Sequence, residues 1–421
     1  MILKIKVKTI KFSTIVRIIL LLIVLIDISF FYLLNLPKSF GNYKYLYITI
    51  VIIVLCSACC FNTKIKRCTF KYRSFLKYYT PFLLVALILM LFYSQVVYTS
   101  QSLVQAFIAE YYFLIILLVY PIIYIMNIDN GYDKIFRMLN AVTFLWYIVM
   151  IFQSILYNGT GDLFLKGYFM TDRVVIRSGI RIFSSTLGNI MILYNFNAFY
   201  NNYKKKKDLL FYLMMFVLGM YCLLVIQQTR MYTIAIIISL LFLIFSTNKL
   251  NTKVIINVLV LSIALLILIQ SKSLSVFFTS FTDGKIDTTN VRIDAITYFK
   301  GYIIKNPIFG MGLVSYGGNY NSILRGFDGS YYLDDLGFIG LLTKTGFFAL
   351  SIYVVLIFRF IYIYRRICKK NSCKENGFLL SLLTFLIISS ISIIITDPVR
   401  IIALPFIFAI FEYKYIQIIS K

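Results

Sequence analysis

The sequence predicts an all-α polytopic membrane protein: a single transmembrane domain, 1–421, of about 12 transmembrane helices. Three observations predict it. The chain is 61% hydrophobic and 14% charged, with mean hydropathy +0.87. A soluble domain cannot hide that much apolar surface, because its outside must face water. Apolar runs of roughly 17 to 29 residues recur from end to end, long enough to cross a hydrocarbon core of about 30 Å as helices. In lipid the backbone must satisfy its own hydrogen bonds, so such runs read as helices. Lys and Arg outnumber Asp and Glu by 42 to 16, and they gather in alternate connections.

In order, the expected spans are 15–34, 44–61, 79–98, 109–128, 138–157, 184–202, 208–227, 231–247, 254–270, 336–364, 377–396 and 401–417. The first lacks a small-residue cleavage site and reads as a span rather than a cleavable signal. Basic residues concentrate before the first span (Lys4, Lys6, Lys8, Lys11) and after even-numbered ones (Lys64 to Lys77, Lys204 to Lys207, Arg365 to Lys374). The positive-inside rule then places both termini in the cytoplasm. In a soluble protein such a charge balance points to nucleic acid. Here it is topological, so the bilayer is the expected partner and nucleic acid is not. No external connection holds any of the seven cysteines, so no structural disulfide is expected. Cys56 and Cys59 form a C-x-x-C on an apolar helix without a second ligand pair, which reads as packing rather than as a metal or redox site.

Two connections expected outside are long: 158–183, and 271–335 between spans nine and ten. Long connections are usually functional or disordered. The larger one is expected to be partly helical. Asp287 to Asp294 opens a helix, with Thr288 or Asn290 as cap, that runs to about Lys305 and stops before Pro307. At about 100° per residue, Ala295, Ile296, Phe299, Tyr302 and Ile303 share one face, while Asp294, Thr297, Gly301 and Lys305 share the other. Arg292 falls in the middle of the apolar face, where a lone guanidinium is costly unless paired. It therefore meets either Asp294 or Asp335, or an anionic ligand. Asn306-Pro-Ile-Phe-Gly-Met-Gly312 follows, and its glycines permit tight turns near a ligand. Tyr316, Tyr320, Tyr331 and Tyr332 can stack on sugar rings or form an interfacial belt. Asp334 and Asp335 cap the tenth span or serve as bases.

Other outward charges are Arg173, Arg177 and Arg181; the step from Arg177 to Arg181 shares one face if that stretch is helical. Guanidinium forks there suit phosphate, or the cluster sits at lipid headgroups. Arg230 lies in the tight turn Gln227-Gln-Thr-Arg230. Asp27 and Lys344 fall inside apolar spans, where a charge is functional or internally paired. There is no histidine, which removes the usual general base and most zinc sites. Chemistry is left to Arg, Asp, Glu, Lys or Tyr.

These features resemble the bacterial Wzy-type polysaccharide polymerase and O-antigen ligase superfamily. The resemblance covers the whole topology and four local segments: Arg177 to Phe183, Gln227 to Arg230, Arg292 through Gly312, and Asp335 through Gly346. Ligases of the superfamily carry a histidine where Asp335 stands, which favours a polymerase. The resemblance implies a glycosyltransferase, free of metal and cofactor, at the outer face of the cytoplasmic membrane. A hydroxyl of one lipid-linked repeat unit attacks the sugar carbon bonded to undecaprenyl diphosphate in another. It implies that Arg177, Arg181, Arg230 and Arg292 hold the diphosphate, that Asp335 or Asp334 is the base with Arg292 beside it in the chemistry, and that Tyr316, Tyr331 and Tyr332 meet glycan. A chain-length regulator and a flippase are the expected protein partners. The rival readings are a lipid-linked oligosaccharide flippase and a ligase.

Overall fold

The computed structural model describes residues 12–28, 30, 44–61, 75–128, 130–162, 174–176, 180–182, 185–201, 206–247, 288–315, 320–326, 329–370 and 376–419. The expected ninth span, Arg173, Arg177 and Tyr316 lie outside these residues.

Among the described residues the chain is helical apart from one hairpin. The first helices are α1 (Phe12–Asp27), α2 (Lys44–Phe61), α3 (Leu76–Val97) and α4 (Leu103–Ile108). A 3₁₀ segment (Tyr111–Leu118) leads into α5 (Val119–Met126), and α6 (Gly131–Thr160) follows. The hairpin pairs β1 (Val174–Ile176) with β2 (Ile180–Ile182). Next come α7 (Thr186–Asn201), α8 (Lys206–Tyr221), a π turn (Cys222–Gln227) and α9 (Arg230–Thr247). The rest comprises α10 (Thr288–Lys305), α11 (Asn321–Arg325), a 3₁₀ turn (Leu333–Asp335), α12 (Gly337–Lys370), α13 (Gly377–Ser389) and α14 (Ala403–Ile419).

Among the described residues three helices, Leu76–Val97, Gly131–Thr160 and Asp208–Gln227, are long and apolar enough to cross a membrane, or up to four if bent α12 is one span. The apolar helices Tyr45–Cys56, Tyr111–Met126, Arg230–Ser246 and Gly377–Ser389 are shorter. On α3, Leu83, Ala86 and Met90 are buried, while Val85, Ile88, Phe92 and Val96 are more than half exposed. A helix that is apolar all round is at home in lipid.

Several expected spans are broken, each for a local reason. The run 109–128 is a 3₁₀ segment plus α5, set off from α4. A capping box starts α4: the Ser102 hydroxyl accepts from Gln105 N at 3.2 Å, and Gln105 Oε1 accepts from Ser102 N at 2.9 Å. The run 336–364 is no straight helix: Gly337–Phe348 and Leu350–Lys370 meet at 105°. Gly346, close to the end of the first, adopts φ 62°, ψ −170°. The eleventh run ends as a helix at Ser389, and residues 390–402 form successive turns.

Helix α10 has the expected limits and face. Ala295 and Phe299 are buried, whereas Asp294, Thr297, Gly301 and Lys305 are exposed. With Tyr98, Met311, Val314, Leu324, Leu333 and Leu336 they form a small core of their own. This core is separate from the main one that fills the helix bundle.

Candidate functional site

The segment Asn306-Pro-Ile-Phe-Gly-Met-Gly312 braces the break in α12. Met311 N donates to Thr343 O (2.7 Å), Gly312 N to Lys344 O (3.0 Å), and Phe347 N returns the bond to Pro307 O (2.9 Å). Two glycines make the approach possible. A Cβ on Gly310 (φ 64°) would lie 2.4 Å from Thr343 O, and one on Gly346 would lie 2.3 Å from Ile308 O. The expected turn near a ligand is therefore a turn against another backbone. The same segment is tied to the end of α3: Leu313 N donates to Ser94 Oγ (2.7 Å), and Tyr98 Oη to Met311 O (2.6 Å).

The break presents Lys344. Its ammonium donates to Tyr112 Oη (2.9 Å) and Ala109 O (3.2 Å). Glu110 is buried beside it, and one of its carboxylate oxygens has no hydrogen-bond partner. Lys344, Asp334 and Asp397 are within electrostatic reach of one another or of Tyr112. The charge expected inside a span thus sits in a network of hydrogen bonds and neighbouring charges.

Asp334 and Asp335 are exposed on their 3₁₀ turn, whose position is set by residues 390–400. Arg400 Nη1 donates to Asp334 O (3.4 Å), Ser392 Oγ to Asp335 O (3.3 Å), and Phe338 N to Ser390 O (2.7 Å). Gly337, at φ 55°, allows this contact, since a Cβ there would lie 2.4 Å from Ser390 O. Arg400 is also ion-paired with Asp397. Burial pulls the arginine's pKa down, but its acidic neighbours, Asp397 foremost with Tyr232, Asp334 and Asp335, together outweigh it, and the pKa is raised. Burial pushes the Asp397 carboxyl up, against the pull of Arg400.

One expected arginine is held at the π turn, three residues before another. Arg181 Nε donates to Gln227 O at 2.9 Å. The π turn ends at Gln228, in the left-handed region at φ 49°, and Arg230 opens α9. Such turns inside helices are frequent at functional sites. Two residues on, Tyr232 shares a hydrogen bond with the Thr186 hydroxyl (3.1 Å) and lies in the field of Arg400 and Asp397. Tyr232, on the first turn of the helix that Arg230 opens, thus lies near the Arg400 group.

Some expectations are corrected. The described end of the Arg177–Arg181 stretch is not helical. Arg181 lies instead on strand β2, opposite Val175 on β1, in a Val- and Ile-rich sequence that favours pairing. Arg292 is exposed rather than buried, and it makes no ion pair with Asp294 or Asp335 among the described residues. Its angle on the helix is as expected, but burial begins only at Ala295, one turn later. Asp27 is buried, and its Oδ2 accepts from Ser185 Oγ (2.5 Å), tying the end of α1 to the start of α7. Tyr331 is half-buried against Tyr298 (5.5 Å between centroids), while Tyr332 is exposed.

Arg400, Asp397, Glu110 and Tyr112 were not singled out by sequence reasoning. One signal was present: Asp397 and Arg400 are the only charged residues between 377 and 411. Chemically, the end of the bundle expected outside offers guanidinium and ammonium groups suited to phosphate beside two exposed carboxylates able to take a proton.

Arg292→Ala should fold normally, because an exposed position away from packing shifts stability by about 0.5 kcal/mol or less. A melt of the purified variant within a degree or two of wild type checks this, at about 2–4 °C per kcal/mol for larger domains. A much larger drop would mean that Arg292 is packed. No protein-family model matches the chain, and no curated protein does.

Proposed function

We propose that this protein is a membrane glycosyltransferase that polymerises polyprenyl-diphosphate-linked oligosaccharide repeat units at the outer face of the cytoplasmic membrane. The reading includes about 12 spans, both termini in the cytoplasm, and 158–183 and 271–335 outside. The observation that carries it is the contact of Arg400 with the turn of Asp334 and Asp335, with Tyr232, on the helix that Arg230 opens, in the field of Arg400.

In the reaction an acceptor hydroxyl attacks the sugar carbon of the donor. The bond from that carbon to the diphosphate oxygen breaks, and the diphosphate leaves with the electron pair. Arg181, Arg230 and Arg400 stabilise its growing charge, with Arg177 and Arg292 as further candidates. The hydroxyl proton passes to Asp335 or Asp334. Undecaprenyl diphosphate remains in the bilayer as the released carrier.

A flippase is the second reading, favoured by the broken helix α12 and the segmented run from Leu103 to Met126. Discontinuous helices recur at transporter binding sites. Deletion of the gene separates the two. The polymerase reading expects single repeat units on lipid at the outer face. Units trapped inside would favour the flippase, and free long polymer the ligase.

A further inference from the structure

We infer that Arg325 and Tyr332 form a subsite for an acidic sugar of the glycan; this deepens the proposed polymerase reading and rests on it for the identity of the glycan. Tyr332 lies beside the small core and is 52% exposed, so its ring is open to a ligand. The Arg325 guanidinium lies 4.1 Å from the centre of that ring. A sugar lays its C–H face on an aromatic ring, and a guanidinium fork recognises a carboxylate or phosphate. The two together select a sugar that carries an anionic group.

The pair is held in place by the fold. Arg325 ends α11, and Gly326 continues at φ 71°. A Cβ at 326 would lie 2.3 Å from the Tyr331 ring, so only glycine lets Tyr331 close over the backbone there. Tyr331 N donates to Arg325 O at 3.0 Å, which closes the loop and brings 325 beside 332. Tyr298 packs on Tyr331 from α10, and its hydroxyl donates to Ile323 O (3.4 Å). The subsite adjoins the acidic turn, since Asp335 N donates to Tyr332 O at 3.2 Å. A glycan lying on Tyr332 therefore places its neighbouring sugar toward Asp334 and Asp335.

The anionic group has two chemical sources, a uronic acid carboxylate or a sugar phosphate. Saturation-transfer NMR on the purified chain in nanodiscs of zwitterionic lipid tests the subsite. The probes are a disaccharide containing glucuronic acid, its carboxyl-reduced counterpart and a disaccharide phosphate. Wild type should favour one of the two acidic probes over the neutral one by about tenfold, roughly 1.4 kcal/mol, and which one is favoured identifies the source. Arg325→Gln should abolish that preference and leave neutral binding unchanged, and Tyr332→Ala should weaken every probe. Equal binding of acidic and neutral probes by wild type would overturn the inference, as would an undiminished preference in Arg325→Gln. So would Arg325→Gln acting only on association with anionic lipid. Because the readout is binding, it does not depend on elongation. A flippase phenotype on gene deletion with intact acidic-sugar preference would remove the polymerase reading and keep the subsite.

Discussion

Arg400→Ala should abolish glycan elongation. The variant removes a cation facing the acidic turn and leaves Asp397 buried without its partner. Loss of one transition-state donor lowers rates by about 10²–10³. Stranding the buried carboxylate costs about 3–5 kcal/mol, so misfolding is a competing cause. The double variant Asp397→Asn/Arg400→Met separates the two effects. Replacing a buried ion pair with neutral groups is often close to neutral for stability. It should therefore restore expression and melting temperature while elongation stays lost. A double variant that makes chains of normal length would reduce Arg400 to a structural residue.

Gly346→Ala and Gly310→Ala should each undock the 306–315 segment from α12. Both positions have positive φ, and in both an added Cβ falls on the opposing backbone rather than on a flexible side chain. The strain and the forced separation together cost several kcal/mol, on the order of 1–3 for each. From the 306–315 segment only Leu313 and Phe309 reach the main bundle core, so the chain should still insert and purify. Hydrogen exchange should rise at Met311 and Gly312, whose amides bond Thr343 and Lys344. Elongation should fall with it, because the break also positions Lys344. Unchanged protection at those two amides would show that the glycines do not hold the brace.

How much was legible in the sequence follows from the range of each signal. Helix α10 was read correctly from its face to its end at Lys305, because periodicity and Pro307 act locally. Its Arg292 was misread for a related reason. Periodicity gives the angle of a side chain around a helix and says nothing of where along the axis neighbours begin. The glycines of N-P-x-x-G-x-G were visible as turn formers, yet their partner, Gly346, lies 36 residues on from Gly310. No local pattern couples two such positions. The apolar run 377–396 looked like one span because hydropathy does not register Ser389, Ser390 and Ser392. Residues 390–402 leave the helix there, and Ser390 and Ser392 bond Phe338 and Asp335. Nothing local joins Arg400 to the acidic turn 65 residues before it; only the fold brings it to Asp334.

The central claim is elongation of lipid-linked glycan at this arginine–carboxylate end. Reconstitution tests it most directly: the purified chain in liposomes with undecaprenyl-diphosphate-linked repeat units, read by product length and released undecaprenyl diphosphate. A polymerase should give a ladder of longer lipid-linked chains, one diphosphate carrier freed per joining step, and neither product from Arg230→Ala or the Asp397→Asn/Arg400→Met variant. Repeat units that cross the bilayer without lengthening would contradict the polymerase reading.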